Sequence, residues 1–310
     1  MLSLFTAILP VFLVVGFGYL AVQRRLFTND AVEGLMLFTQ SFAIPALLFR
    51  AMSTLDLSTL TASLFLSYYG GATAAFLMAM FGARFLFRRP WEDSIAIGFC
   101  GLFANGLLLG LPVTLQAFGP DAGKANFAII AVNSPYCYGI GITLMEVVRA
   151  RATGASLGEL PAKVLRAMFR NNMIMAIVAG LVVNLASIPL PGFITEALDM
   201  LARAALPAAL FGLGGVLCNY RPEGDLRIII WIVTASLLLH PAVTWGIGKS
   251  LHLELDGFRS SMVMAAMAPG ANAYIFASLY DTAKRVVATS VLVGTALSLL
   301  TSWFWLSLLY

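Results

Sequence analysis

The sequence predicts an all-α integral membrane protein that crosses the bilayer ten times, as two inverted copies of five helices. Three observations predict this fold class. The 310 residues are 60% hydrophobic and only 11% charged, with a mean hydropathy of +0.89, far above the roughly half-apolar content of soluble domains. The apolar residues form ten runs of the length that a spanning helix needs. Two of these runs are interrupted near their centres, and the two halves of the chain share a motif.

The ten apolar runs and the charges between them predict how the chain is oriented. The runs lie near 3–23, 31–52, 58–83, 93–118, 125–147, 171–190, 193–218, 227–249, 258–279 and 284–308. The odd-numbered loops carry fourteen Lys and Arg residues, against four in the even-numbered loops. Because cytoplasmic loops are enriched in these residues, we expect the odd-numbered loops in the cytoplasm and both termini outside.

The composition also excludes several classes of function. Lys and Arg exceed Asp and Glu by 19 to 15, but these charges are scattered between apolar runs, so we expect no nucleic-acid partner. Cys100, Cys137 and Cys218 lie in or beside apolar runs without metal-ligand spacing. The sequence therefore predicts neither a metal site nor a disulfide framework, and no cofactor is expected.

The longest loop divides the chain almost in half. We predict a first repeat over residues 1–148, a basic cytoplasmic linker over 149–170 and a second repeat over 171–310. The basic stretch 156–170 is expected to lie along the cytoplasmic lipid surface, where it would tether the two halves.

The two halves repeat one motif in their second helices. Residues 43–49 read AIPALLF and residues 205–211 read ALPAALF, with five of seven residues identical at an offset of 162. Gly18 and Gly180 are separated by the same offset. Because each copy holds an odd number of helices, the second copy must be inserted upside down, which is the architecture of many secondary transporters.

The ninth apolar run, 258–279, is interrupted at its centre. Pro269 removes a backbone donor, Gly270 weakens the helix further, and Asn272 brings an amide to the middle of the bilayer. A spanning segment that is broken at this depth is tolerated only against protein or water. Alone, this pattern fits a proline kink whose amide bonds a neighbouring helix; a matching break in the other half favours a binding site.

The fourth run supplies that matching break. Asn105 and Pro112 flank a glycine-containing stretch that we expect to be unwound. At 1.5 Å per residue, Asn105 lies about 18 Å from the cytoplasmic end of its run, and Asn272 about 21 Å from the outer end of its own. Two inverted breaks at the midplane would direct half-helix N-termini and amide donors to one point, which suits an anion.

Three further residues are candidates for substrate or proton binding. Arg203 is a charge deep in the seventh run, where it either pairs with Asp199 or Glu196 on its own helix or acts as the counter-ion of a carboxylate. His240 either relays a proton or bonds a facing helix. Asn133 is expected beside the two breaks.

The sequence resembles the auxin efflux carrier family of membrane transporters, including its bacterial malonate-carrier-like branch. The resemblance covers nearly the whole chain and is strongest in residues 9–12, 18–19, 175–191, 205–217 and 268–280. It implies a fold similar to that of bile-acid symporters, in which helices 4 and 9 cross and hold the substrate carboxylate. That would implicate Asn105 and Asn272. One departure is Asn171-Asn172, where relatives commonly have Asn-Pro.

Together these observations predict a secondary transporter of small organic anions, such as auxin-like acids, malonate or malate, in a bacterial inner membrane. The alternatives are an anion channel and a symporter coupled to protons or sodium. An intramembrane enzyme has little support, because no set of nucleophile, base and carboxylate occurs at catalytic spacing. A homodimer is left open as the assembly.

Overall fold

The computed structural model describes residues 2–57, 61–119, 122–153, 171–220 and 222–309, together with 162, 166 and 169. All regular secondary structure in these ranges is helical, so the predicted all-α class is confirmed. Of the proposed cytoplasmic linker, residues 149–153 belong to the helix that ends at Thr153, and most of the remainder lies outside the described residues. The α-helices are α1 (Leu2–Gln23), α2 (Asn29–Phe38), α3 (Ile44–Ser53), α4 (Ala62–Phe81), α5 (Trp91–Leu102), α6 (Leu111–Phe118), α7 (Gly123–Thr153), α8 (Asn172–Leu185), α9 (Gly192–Cys218), α10 (Leu226–Thr234), α11 (His240–Ser250), α12 (Leu255–Ala265), α13 (Ala271–Leu279) and α14 (Lys284–Ser307).

Among the described residues, six helical segments are long and apolar enough to cross a membrane. They are Asn29–Ser53, Ala62–Leu86, Gly123–Ala152, Gly192–Cys218, Leu226–Ser250 and Lys284–Ser307. Shorter apolar helices cover Ile8–Gln23, Gly106–Phe118 and Asn172–Leu185. Length and composition therefore support a multi-pass membrane protein, while the count of ten spans stays a prediction.

Several long helices contain a five-residue π-helical turn, and three of these turns end two residues before a proline. The three pairs are Thr39–Ala43 with Pro45, Gly106–Gly110 with Pro112, and Ala235–Leu239 with Pro241. A proline lacks a backbone N–H, and its ring clashes with the carbonyl four residues earlier. Widening the preceding turn lets the helix continue past the proline instead of stopping.

The chain forms two compact units, each assembled from segments of both halves. One comprises Met1–Ile8, Leu60–Leu165 and Tyr220–Tyr310, and the other Leu9–Thr59 and Arg166–Asn219. The grouping shows which segments pack together. It does not test the boundaries of the two repeats, which stay a prediction.

In the smaller unit, two glycines let helices approach at backbone distance. A Cβ on Gly18 would overlap the carbonyl oxygen of Phe211, and a Cβ on Gly180 would lie 2.6 Å from the carbonyl oxygen of Phe49. Helices in lipid gain little from burying apolar surface, so close packing at small residues stabilises their association instead.

The start of α8 is capped by Asn171, whose side chain accepts a hydrogen bond from the Met173 N–H at 2.9 Å. This helix therefore begins without a proline, at the Asn171-Asn172 pair where the sequence departs from the family pattern.

In the larger unit, loops that the sequence assigns to one side of the membrane meet one another. Arg149, near the end of α7, donates to Glu92 in the first turn of α5 and to the Tyr280 carbonyl after α13. Asp93 is bonded to Thr282 in that same turn. These contacts join the third, fifth and ninth loops.

A second set of contacts in the larger unit joins segments beside the predicted even-numbered loops. The Ser260 hydroxyl of α12 donates to the Ala122 carbonyl before α7 at 2.8 Å. The Arg259 guanidinium lies 5.0 Å from the ring centroid of Phe118, at the end of α6.

Candidate functional site

The fourth apolar segment is interrupted between α5 and α6. Helix α5 ends at Leu102, residues 103–105 are non-helical, and a π-helical turn then leads into α6. The expected unwound stretch from Asn105 to Pro112 was therefore placed too far along the chain. Pro112 lies just after the Gly106–Gly110 π-helical turn, which lets the helix continue through the proline into α6.

The ninth segment is interrupted between α12 and α13, as its Pro-Gly pair predicts. Helix α12 ends at Ala265 and α13 begins at Ala271, immediately after Pro269 and Gly270. All residues from Ser261 to Gly270 are buried. The polar backbone of this interruption must therefore find partners inside the protein.

The two interruptions bond to each other. The Asn105 N–H donates to the Ala268 carbonyl at 2.7 Å, and the Gly270 N–H donates to the Phe103 carbonyl at 2.8 Å. These bonds form an antiparallel bridge that pairs Ala104 with Pro269. Each break thus supplies the backbone partners that the other lacks, which allows non-helical backbone to be buried at this depth.

Both predicted asparagines lie at this bridge, but in different environments. Asn105 is 5% exposed, and its amide nitrogen Nδ2 has no hydrogen-bond partner. Asn272 is partly exposed, and its Oδ1 accepts a hydrogen bond of 3.3 Å from the hydroxyl of Tyr138 on α7. That bond occupies the amide oxygen and leaves the NH₂ group as the available donor. Asn105 precedes the Gly106–Gly110 π-turn and Asn272 lies in the first turn of α13, so half-helix N-termini accompany both amides.

Aromatic rings and small residues frame the bridge on the α7 side. Phe99 and Phe276 stack at 4.1 Å between centroids, 8° from parallel, and Gly141 leaves room for both rings. Asn133 is buried on the same helix, where its Oδ1 lies 3.6 Å from the Cys137 sulfur. This contact lies within α7 and does not reach either bridge asparagine.

Arg203 has a different setting from the one expected. It is exposed on α9, and the carboxylate of Asp199 binds Arg50 of α3, with Oδ1 2.7 Å and Oδ2 3.3 Å from the guanidinium nitrogens. Helical spacing offered Asp199 or Glu196 as partners of Arg203, as one of two alternatives, and it could not indicate Arg50, which lies 149 positions from Asp199. Two-point contact with a planar guanidinium explains why Arg50 competes well.

Sequence reasoning did not single out Tyr138. It gives no local signal, because a lone tyrosine in an apolar run is ordinary. Its hydroxyl becomes significant only when α7 packs beside α13 and reaches Asn272. His240, in contrast, was singled out and is fully buried against α4.

Comparison with known proteins was made over the whole chain. Residues 3–306 match the model of a family described as "Membrane transport protein". The chain is 26% identical to a "Putative malonate transporter" of Rhizobium meliloti (strain 1021), over 95% of this chain and 92% of that protein. It is 23% identical to "Auxin efflux carrier component 8" of Arabidopsis thaliana, over 96% and 95%. It is also 24% identical to the "Lysosomal cholesterol signaling protein" of Mus musculus, covering only 36% of that longer protein.

The family model spans nearly every helix, and the relatives that match along their full length are named as transporters. The apolar helices fit the same assignment. This chain is therefore a multi-pass membrane transporter, and it belongs to the membrane transport protein family of the auxin efflux carriers.

Proposed function

We propose that the protein is a secondary transporter of small organic anions, and that the substrate carboxylate binds where the breaks of the fourth and ninth segments meet. Asn105 and Asn272 donate to the carboxylate, while Pro112, Pro269 and Gly270 shape the backbone around it. Asn133 supports the site from α7. In the smaller unit, Arg203 on α9 is proposed separately as a counter-ion for a carboxylate. Malonate, malate and auxin-like acids are the proposed substrate class, consistent with the names of the relatives.

The observation that carries this proposal is the unpartnered amide nitrogen of Asn105. A buried donor without an acceptor is unfavourable unless a ligand completes it. The neighbouring half-helix N-termini favour a negative ligand, and the amide adds no charge of its own. A neutral donor set binds a carboxylate in a low dielectric and still permits its release.

The proposed architecture is a 5+5 inverted repeat of ten spans with crossing helices. Phe49 and Phe211 lie at the same offset of 162 as Gly18 and Gly180. The contacts of Gly18 with Phe211 and of Gly180 with Phe49 are therefore exchanged between the two copies, as a two-fold relation requires. The repeats comprise 1–148 and 171–310, with the linker 149–170 in the cytoplasm.

Alternating access by such a repeat is proposed over an anion channel, because paired broken helices are typical of secondary transporters. We place the protein in a bacterial inner membrane with both termini outside, on the charge of the loops. Coupling of transport to an ion is a separate property, which uptake driven by a pH gradient measures.

Counterflow in proteoliposomes tests the function. Vesicles loaded with unlabelled malonate should accumulate labelled malonate transiently, and a panel of malate, succinate and indole-3-acetate should compete according to affinity. Saturable exchange without a matching ionic current would exclude a channel. A folded protein that exchanges none of these carboxylates would contradict the proposal.

A further inference from the structure

A second buried polar cluster lies in the larger unit, where α4 packs against α10 and α11. Ser236, His240 and Thr244 follow one another at four-residue spacing and are each 0% exposed. The imidazole of His240 faces Tyr68 of α4, with 5.2 Å between the ring centroids. Gly71 of α4 lies opposite Thr244 and His240, and a Cβ there would overlap the threonine hydroxyl. Ser236 lies one turn before His240 on the same helical segment.

The helix around His240 is held in an unusual conformation by a specific contact. Pro241 has no backbone N–H and leaves the Leu237 carbonyl without its usual partner. The indole nitrogen of Trp305 donates to this carbonyl at 2.9 Å. The preceding π-helical turn, Ala235–Leu239, is thereby fixed directly before His240. Such turns occur frequently at functional sites.

The cluster contains five polar atoms without hydrogen-bond partners. They are the hydroxyl oxygens of Tyr68, Ser236 and Thr244 and both ring nitrogens of His240. The backbone of Tyr68 lies beside the imidazole, without a hydrogen bond of ordinary geometry. Buried polar groups that fail to bond one another are usually bridged by water, which makes about three such bonds each. Five of them in one place indicate a small hydrated cavity.

The elements packed around His240 bring no ionised partner among the described residues. Tyr68 is the titratable side chain that meets the imidazole. On the other packed helices, the Tyr69 hydroxyl donates to Ile129, the Cys100 thiol to Ala96, and Arg259 pairs with Asp256. Helix α14 contributes Lys284, which pairs with Asp281, and Arg285, which pairs with Glu223. A proton on His240 would thus be the single positive charge added to this cavity.

We infer that this cavity is a hydrated proton-binding site in which His240 takes up and releases one proton per transport cycle. The proton passes from a hydronium ion to an imidazole lone pair and leaves a water molecule, which the hydroxyls of Tyr68, Ser236 and Thr244 hold. The inference rests on the proposed function and adds its coupling ion. Water held in this way stabilises the imidazolium, which an uncharged interior alone would disfavour.

The test separates proton-driven uptake from exchange in the same proteoliposomes. A pH gradient should drive net uptake of malonate by the wild-type protein and not by His240→Gln, whose amide cannot carry a proton. Counterflow moves no net proton, so it should persist in that variant. The chain contains one other histidine, His252, which is exposed. His252→Gln is therefore the matched control and should behave as wild type in both assays.

A second measurement covers the case in which His240→Gln does not fold. Tyr68→Phe keeps the ring and removes the hydroxyl, so it should shift the pH midpoint of gradient-driven uptake while counterflow continues. A pH dye in weakly buffered detergent should report proton uptake on malonate addition to wild type and His252→Gln.

The outcomes of these assays distinguish the proton site from the proposed transport of organic anions. Retained gradient-driven uptake in His240→Gln, or a pH profile unchanged in Tyr68→Phe, would overturn the proton site while leaving organic-anion transport intact. A wild-type protein that exchanges malonate without any response to a pH gradient would also overturn it. Absence of counterflow in folded wild-type protein would contradict the proposed function, and also the proton coupling that rests on it.

Discussion

Replacing Asn105 with alanine should weaken substrate binding without weakening the fold. The amide nitrogen of Asn105 is buried and unpartnered in the unliganded protein, and such an orphan donor costs about 1–3 kcal/mol. Its removal should therefore leave thermal stability unchanged or raise it slightly. In the complex, the lost hydrogen bond to a carboxylate is worth about 1.5–3 kcal/mol, equivalent to roughly 10- to 150-fold in Kd. Opposite effects on stability and affinity distinguish a binding residue from a packing residue.

The assay is malonate binding to purified protein, with thermal unfolding measured on the same samples. Asn272→Ala should lose similar affinity but also some stability, because Asn272 bonds Tyr138. Aspartate at position 105 should bind worse than alanine, since it adds repulsion to the lost donor.

Asn126 offers a matched control. It is 0% exposed on α7, and its Nδ2 donates to the Thr114 hydroxyl at 2.9 Å. Asn126→Ala should reduce stability and leave affinity near the wild-type value. Near-normal affinity in both Asn105→Ala and Asn272→Ala would refute the reasoning and move the substrate away from the bridge.

Three further predictions concern packing, charge and orientation. Gly18→Ala should destabilise the protein by about 1–3 kcal/mol in a denaturation assay, because its Cβ would overlap a helix backbone; wild-type stability would contradict the close contact. Asp199→Asn should lower the melting temperature, because it breaks the ion pair with the Arg50 guanidinium. Arg203→Ala should change the free energy of unfolding by no more than about 0.5 kcal/mol and should reduce malonate transport. Unimpaired transport in that variant would eliminate Arg203 as a counter-ion. With the native cysteines removed, an impermeant reagent applied to intact cells should label Leu190→Cys and not Thr153→Cys, and the reverse pattern would invert the topology.

Local chemistry in the sequence locates the breaks but not their pairing. Pro269 and Gly270 are incompatible with a continuous helix, so the ninth interruption is predicted to within a few residues. In the fourth segment Pro112 does not mark the break. It lies near the start of α6, and the chain leaves the helix earlier, at Phe103. What stops α5 there is the hydrogen bonding of residues 103–105 to the distant ninth segment, which no local pattern encodes.

The same distinction applies to the ion pair of Asp199. Spacing along a helix favours Arg203 at four residues, and that interaction is worth only a few tenths of a kcal/mol, about 0.2–0.5. Packing of α3 against α9 brings Arg50 into a two-point contact instead. Helical spacing identifies candidate ion-pair partners on the same helix, but it carries no information about a closer partner on another helix.

The bridge between the two breaks explains how this fold can place free donors in the middle of a membrane. Broken helices normally expose backbone N–H and C=O groups, and a substrate that had to satisfy them all would bind too tightly to be released. Here Phe103, Asn105, Ala268 and Gly270 satisfy one another across the bridge. In the proposed site, the substrate would be held by the side-chain amides of Asn105 and Asn272 and by the first-turn N–H groups beside them. Because the backbone bonds do not depend on the ligand, such a site could empty and refill without the two broken segments separating, as repeated transport requires.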